Sequence, residues 1–123
     1  MIKNPSTHFG FISIVVPLHN EADNVRILNE AILNTLKGFK YELLLVNDGS
    51  TDETGMQLKK LENPNLIVVE LKENYGQSLA LKAGIDISKG DYIITMDGDL
   101  QNDPRDIPWM LEKAKNEKWD LVS

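Results

Sequence analysis

Short apolar runs alternate along the chain with longer segments of helical period. Ile12-Ser13-Ile14-Val15-Val16 reads as a buried strand, stopped by Pro17. Asn20 then offers a helix cap with Asp23 three residues on, and Val25, Leu28, Ala31, Ile32 and Leu36 recur at helical spacing as far as Gly38. Tyr41 to Val46 is a second strand, followed by the turn Asn47-Asp48-Gly49-Ser50. Ser50 with Glu53 fits a capping box for a second helix over 52–61, which Asn63-Pro64-Asn65 breaks. Leu66 to Leu71 is a third strand. Leu79, Ala80, Ala83, Gly84 and Ile87 make one face of a third helix, ended by Gly90. Tyr92 to Met96 is a fourth strand, 97–106 a polar loop, and Ile107, Met110, Leu111 and Ala114 line a fourth helix. Asp120-Leu121-Val122 reads as the beginning of a fifth strand.

Strand and helix alternating in this way predict an α/β fold, a mostly parallel sheet with helices on both faces. The 123 residues suit one domain, with a polar N-terminal arm over 1–10 and the domain over 11–123. No repeat or linker interrupts it. The chain stops at the fifth strand with no closing helix, which reads as a fragment of a longer protein.

Composition narrows the function classes. Hydrophobic residues are 41% and charged residues 26%, as in ordinary soluble proteins. Without cysteine there is no disulfide framework, thiolate zinc site or cysteine nucleophile. A formal charge of -6 and a pI near 4.8 speak against a broad nucleic-acid-binding face, so no nucleic-acid partner is expected. No apolar run approaches the roughly 18 to 20 residues of a membrane span, and Met1 to Gly10 lacks the apolar core of a secretory signal. A cytoplasmic chain is expected.

In an open parallel sheet, ligands bind beyond the carboxyl ends of the strands, near the point where strand order reverses. Here those ends carry Pro17-Leu18-His19-Asn20-Glu21, Asn47-Asp48-Gly49-Ser50, Asn74-Tyr75-Gly76-Gln77 and Asp97-Gly98-Asp99-Leu100-Gln101. All four are polar and three carry acids. In extended backbone, Asp97 and Asp99 share a face and can meet one ion, with Gly98 leaving room for a ligand. Oxygen-only ligands suit Mg²⁺ or Mn²⁺ rather than zinc, and Gln101 can add a neutral oxygen. Taken alone, so common a tripeptide as Asp-x-Asp better describes a solvated loop, with Asp103 or Asp106 capping the helix that follows. Asp48 can accept the imino proton of a base or bind sugar hydroxyls, or simply shape a turn. Asp52 and Glu53 suit the electrostatics of a helix start. His19 reads as a loop or packing histidine, Trp109 and Trp119 as packing residues, and Gly76 and Gly84 as a tight turn and a close helix–sheet contact. Lys72 and Lys82 can touch phosphate or lie solvated.

Glycine signatures of dinucleotide-binding and P-loop proteins are absent, as is the nucleophile elbow of α/β-hydrolases. A metal held by acids, rather than backbone amides, would then carry a diphosphate. Three alternatives compete. One is a phospho-receiver-like Mg²⁺-binding signalling domain, weakened by Pro17-Leu18-His19 where an acidic pair should follow the first strand. The second is a nucleotidyltransferase joining an NTP to a sugar phosphate, weakened because no Gly-rich, Lys/Arg-bearing loop follows the first strand. The third is a non-catalytic nucleotide-binding module.

The blocks Ile14-Val15-Val16-Pro17-Leu18-His19-Asn20-Glu21, Val46-Asn47-Asp48-Gly49-Ser50-Thr51-Asp52 and Met96-Asp97-Gly98-Asp99-Leu100-Gln101, in that order, resemble family 2 glycosyltransferases of the GT-A fold. Asn74-Tyr75-Gly76-Gln77 through Ala83-Gly84, with the run 99–104, is most similar to the branch acting on polyprenyl phosphates. The resemblance covers 11–123 and implies inverting transfer from a UDP- or GDP-linked sugar. It places Pro17, Asn20, Glu21, Asp48 and Asp97 at the nucleotide. It places Asp97, Asp99 and Gln101 at Mg²⁺ or Mn²⁺, with Asp99 in the catalytic position. It implies a lipid-phosphate acceptor and a role in cell-wall or glycolipid synthesis. Membrane contact, at the cytoplasmic face, would come through C-terminal segments that this chain lacks. The chain then carries the donor half, with little transfer activity expected alone. Its sheet edge would favour self-association.

Overall fold

The structure, a computed structural model, describes residues 10–116 and the backbone of 121–122. Most of the 1–10 arm, Trp119 and Asp120 lie outside the described residues. In chain order the elements are β1 (Phe11–Leu18), α1 (Val25–Thr35), β2 (Lys40–Asp48), α2 (Thr54–Lys59), β3 (Leu66–Leu71), α3 (Gln77–Ile87), β4 (Tyr92–Thr95), a 3-10 turn (Pro104–Asp106), α4 (Ile107–Asn116) and β5 (Leu121–Val122). The five strands form one sheet in the order β3-β2-β1-β4-β5, with every pairing parallel. This is the α/β arrangement expected, with helices on both faces.

The central strands are apolar on both sides because helices cover both sides. Ile12, Ile14, Val16 and Leu18 of β1, with Leu43 and Leu45 of β2, pack against α1, α2 and α4. Val15, Leu44 and Val46 face the other way, onto Ala80 of α3. At the amino ends of the strands, Ser13 Oγ donates to the buried Glu42 carboxylate at 2.6 Å. The Lys89 amide donates to the same carboxylate at 2.7 Å, and the Gly90 amide to Ser13 Oγ at 2.8 Å. This polar lock ties the segment entering β4 to β1 and β2.

Several local expectations change. Pro17 does not stop β1 but sits within it, in register with Val46. The carbonyl of Val15 accepts from Met96 N at 3.1 Å, so Val15 and, two residues on, Pro17 direct their backbone groups toward β4. Pro17 lies past the last β1–β4 pair, Val15 with Thr95, so its missing N–H falls at the end of that ladder. Asn20 does not cap α1, which starts at Val25 after Asn24. Ser50 and Glu53 do not form a capping box, and α2 is shorter than expected. Asp48 is the last residue of β2, not a turn residue. α1 ends before Gly38 and α3 before Gly90. On α3 the buried residues are Ala80 and Gly84, while Leu79 and Ile87 are exposed. Trp109 is no packing residue: it is 66% exposed, with Lys113 Nζ 5.4 Å from its ring centre.

Candidate donor-binding site

From β1 the sheet grows one way through β2 and β3 and the other way through β4 and β5. The strand order therefore reverses at β1, and in such sheets ligands bind beyond the carboxyl ends of the strands at that point. A cleft of about 500 Å³ lies there. Pro17, Glu21, Asp48, Asp97, Asp99 and Gln101 line it, six of the seven residues picked out from sequence. Asn20 is the exception and borders a separate acidic depression with Asp52 and Glu53.

Asn20 has a left-handed backbone, φ 55°, which asparagine tolerates better than most residues. Its Oδ1 accepts from the amides of Thr51 at 2.8 Å and Asp52 at 3.2 Å, and its own amide donates to Ser50 Oγ at 3.0 Å. It thus ties the β1 exit to the β2 exit. Asp52 strengthens that tie. Its carboxylate accepts from the amide of Thr54 at 2.8 Å and from the Thr54 hydroxyl. The Thr54 hydroxyl oxygen in turn accepts from the amide of Glu21 at 2.9 Å. The Thr54 hydroxyl, then the backbone amides, hold the Asp52 carboxyl below the usual carboxylate range.

Asp48 is buried with both oxygens occupied. Oδ1 accepts from Tyr75 N at 2.8 Å and Oδ2 from Gly76 N at 3.0 Å. It shapes the loop between β3 and α3 while its edge faces the cleft. Gly49 next to it has φ +58°, and an added Cβ would lie 2.3 Å from Asn74 N, so the two loops touch backbone to backbone.

Asp97 and Asp99 do not share a face through extended backbone, because 98–99 form a turn after β4. The turn, not strand periodicity, brings both to the cleft. Gly98 lines the cleft, and packing also holds it to glycine: an added Cβ would lie 2.5 Å from Leu18 Cδ2 and 3.1 Å from the Pro17 carbonyl. Asp99 Oδ1 accepts from Gln101 N at 3.2 Å, and Asp97 N donates to Asn102 Oδ1 at 2.9 Å. Asp103 caps the following turn, accepting from Arg105 N at 2.9 Å, and the Arg105 guanidinium beside it lowers its pKa.

Among the described residues no three His, Cys, Asp or Glu side chains converge on one point. A cation at Asp97 and Asp99 would take two carboxylates and fill its shell with other oxygens. That donor set fits Mg²⁺ or Mn²⁺ shared with phosphate, and fits no structural zinc site.

Four cleft residues were legible in the sequence only as polar strand exits: His19, Asn74, Gly76 and Gln77. His19 Nδ1 lies 2.9 Å from the carbonyl oxygen of Asp48, which can only accept, so Nδ1 carries a proton. Gln77 Nε2 donates to Asp97 Oδ1 at 3.1 Å. Their partners are 29 and 20 residues away in sequence, so the folded topology alone pairs them. Lys72 borders an adjoining cavity, and Lys82 pairs with Asp86 at 2.7 Å on the surface of α3.

Comparison with known proteins shows the family and the fold. The family described as Glycosyl transferase family 2 matches residues 13–123. A dodecaprenyl-phosphate galacturonate synthase of Rhizobium johnstonii is 44% identical over 116 residues, covering 90% of this chain and 34% of the relative. An undecaprenyl-phosphate 4-deoxy-4-formamido-L-arabinose transferase of Klebsiella pneumoniae is 41% identical over 117 residues, covering 90% and 35%. The chain thus spans about a third of the length of these relatives. In fold it is similar to a mannosyltransferase of Pyrobaculum calidifontis solved with GDP-Man and Mn²⁺, with TM-score 0.68 and 23% identity over 80% of this chain and 32% of that one. With its parallel sheet and its acids gathered at the switch point, the chain belongs to glycosyl transferase family 2.

Proposed function

We propose that this chain is the donor-binding part of a glycosyltransferase that moves a sugar from a UDP- or GDP-linked donor to a polyprenyl phosphate, with inversion. The observation that carries the reading is the meeting of Asp48, Asp97 and Asp99 in one cleft at the switch point. The names of the relatives, both acting on polyprenyl phosphates, support the acceptor class. The Mn²⁺ bound with GDP-Man in the Pyrobaculum calidifontis enzyme supports the metal.

Pro17, Glu21 and the edge of Asp48 form the nucleoside side of the cleft, and Asp97, Asp99 and Gln101 form the diphosphate side. Asp97 and Asp99 would hold Mg²⁺ or Mn²⁺, with Gln101 adding a neutral oxygen. When bound, the cation offsets negative charge on the departing diphosphate, a Lewis-acid effect worth several kcal/mol. An acceptor phosphate oxygen attacks the anomeric carbon from the side opposite the diphosphate. The bond from that carbon to the diphosphate oxygen breaks, and its electron pair leaves with the nucleoside diphosphate. Because the acceptor is already anionic near neutral pH, no side chain is needed to take a proton from it. The acceptor side lies beyond this chain, which is expected to bind donor while transferring little sugar by itself. Among the described residues no helix is long and apolar enough to cross a membrane.

Calorimetric titration of the chain with UDP and GDP, each with and without Mn²⁺, tests the reading. Binding of one nucleotide that needs Mn²⁺, and that vanishes in Asp97→Ala/Asp99→Ala, is the expected result. Metal-independent binding that survives this double substitution would sink it. Transfer of labelled sugar to a polyprenyl phosphate by the longer protein tests the acceptor class.

A further inference from the structure

We infer that Gln77 is a positioning residue, which aims the Asp97 carboxylate and ties it to the loop that Asp48 organises; the inference rests on the donor-site reading above. Asp97 and Asp99 are held in different ways. Asp99 is fixed within its own turn, through Gln101 N at 3.2 Å. The Asp97 side chain is held from across the cleft, by Gln77 Nε2 at 3.1 Å.

The anchor behind Gln77 is stiff. It is the first residue of α3, a helix of 11 residues whose Ala80 and Gly84 are buried on the sheet. An added Cβ at Gly84 would lie 2.5 Å from Val15 Cγ1 and 3.0 Å from Val46 Cγ2, so the helix already sits as low as the strands allow. The two residues before Gln77 are fixed as well, since the Tyr75 and Gly76 amides donate to Asp48. Asp48, residues 75–77 and Asp97 therefore form a continuous bridge from the nucleoside side of the cleft to the diphosphate side.

The chemistry of the donor matters too. A carboxamide is neutral, so it occupies one lone pair of Oδ1 without cancelling the charge of Asp97. Oδ2 and the remaining lone pair of Oδ1 stay available to a cation. A lysine at this position would orient the carboxylate equally well but compete with the metal. Partners of this kind, which orient a metal-binding group without touching the metal, typically change metal affinity by about 10- to 100-fold when removed.

Mn²⁺ binding to the 123-residue chain, followed by the electron paramagnetic resonance signal of the free ion, tests this without any turnover. Gln77→Met keeps the length and helix preference of the side chain and removes the donor; Gln77→Ala is the second variant. Both are expected to weaken Mn²⁺ binding roughly tenfold. The melting temperature should stay at the wild-type value while Mn²⁺ affinity falls, which a merely structural role would not produce. Asp97→Ala/Asp99→Ala serves as the reference. If that double variant loses Mn²⁺ while both Gln77 variants bind within about twofold of wild type, the positioning role is overturned and the donor-site reading stands. If the double variant binds Mn²⁺ like wild type, the donor-site reading falls and this inference with it.

Discussion

Asn20, Asp48 and Asp52 show how single polar residues build this site before any ligand arrives. Each gives at least one side-chain oxygen to a backbone amide of another loop, and so joins chain segments far apart in sequence. Asp48→Asn tests the strongest of these ties. The substitution turns one acceptor into an N–H₂ group facing a backbone N–H, and an unpaired buried donor costs about 1 to 3 kcal/mol. Urea denaturation should register that loss, and the amides of Tyr75 and Gly76 should lose protection from hydrogen exchange. Asp52 acts through charge as well as geometry. Its folded pKa lies below the unfolded value, so its contribution is in place above the ordinary aspartate range. That contribution is lost as pH falls through the lowered folded value. Asp52→Asn should therefore be less stable than wild type near neutrality, and the two stability curves should converge in acid. Curves that stay parallel down to acid pH would remove Asp52 from this account.

At the scale of elements, the contact between α3 and the sheet governs the site most directly. α3 carries Gly76 and Gln77 into the cleft, and its distance from the strands is set by Gly84 against Val15 and Val46. Gly84→Ala would gain some helix preference, about 1 kcal/mol, but forces a methyl group into a filled space. Overpacking of this kind typically costs about 1 to 3 kcal/mol, so net destabilisation is expected. Adding Val15→Ala opens the space again. The double variant should be less destabilised than the sum of the single ones, as measured by a double-mutant cycle in urea. Additive effects would mean that α3 can ride higher on the sheet without strain. Mutual burial also explains the faces of α3. Sequence periodicity groups Leu79 and Ile87 with Ala80 and Gly84. A helix seated this closely presents its small residues inward and leaves the larger ones at its flanks.

Across the whole molecule, the core and the site occupy different ends of the same strands. Leu45 is fully buried among the residues shared by β1, α1 and α4, and Leu45→Ala should cost about 2 to 5 kcal/mol. Asp97→Ala/Asp99→Ala removes side chains that face the cleft, Asp99 exposed and Asp97 half-buried, and should change stability by less than about 0.5 kcal/mol per substitution while abolishing Mn²⁺ binding. Thermal melts of the two variants side by side check that separation. Much of this plan was legible in the chain itself. Apolar runs of strand length alternating with helical spacing specify a parallel α/β sheet, because only strands covered on both faces can be apolar throughout. The polar residues at each strand exit marked where a ligand would sit, since polar groups are tolerated where the sheet stops burying them. What the sequence could not specify were the partners. Asn20 reads as a cap for the helix that follows it, yet it bonds to Thr51 and Asp52. Pro17 reads as a strand end, yet it stays within β1, paired with Val46 of β2 just past the last pair with β4. Gln77 reads as one more polar residue, yet it reaches Asp97 across the cleft. Periodicity and capping rules are local and see only a few residues either way. A hydrogen bond between strand exits depends on which strands lie side by side, and the order β3-β2-β1-β4-β5 exists only once the chain has folded.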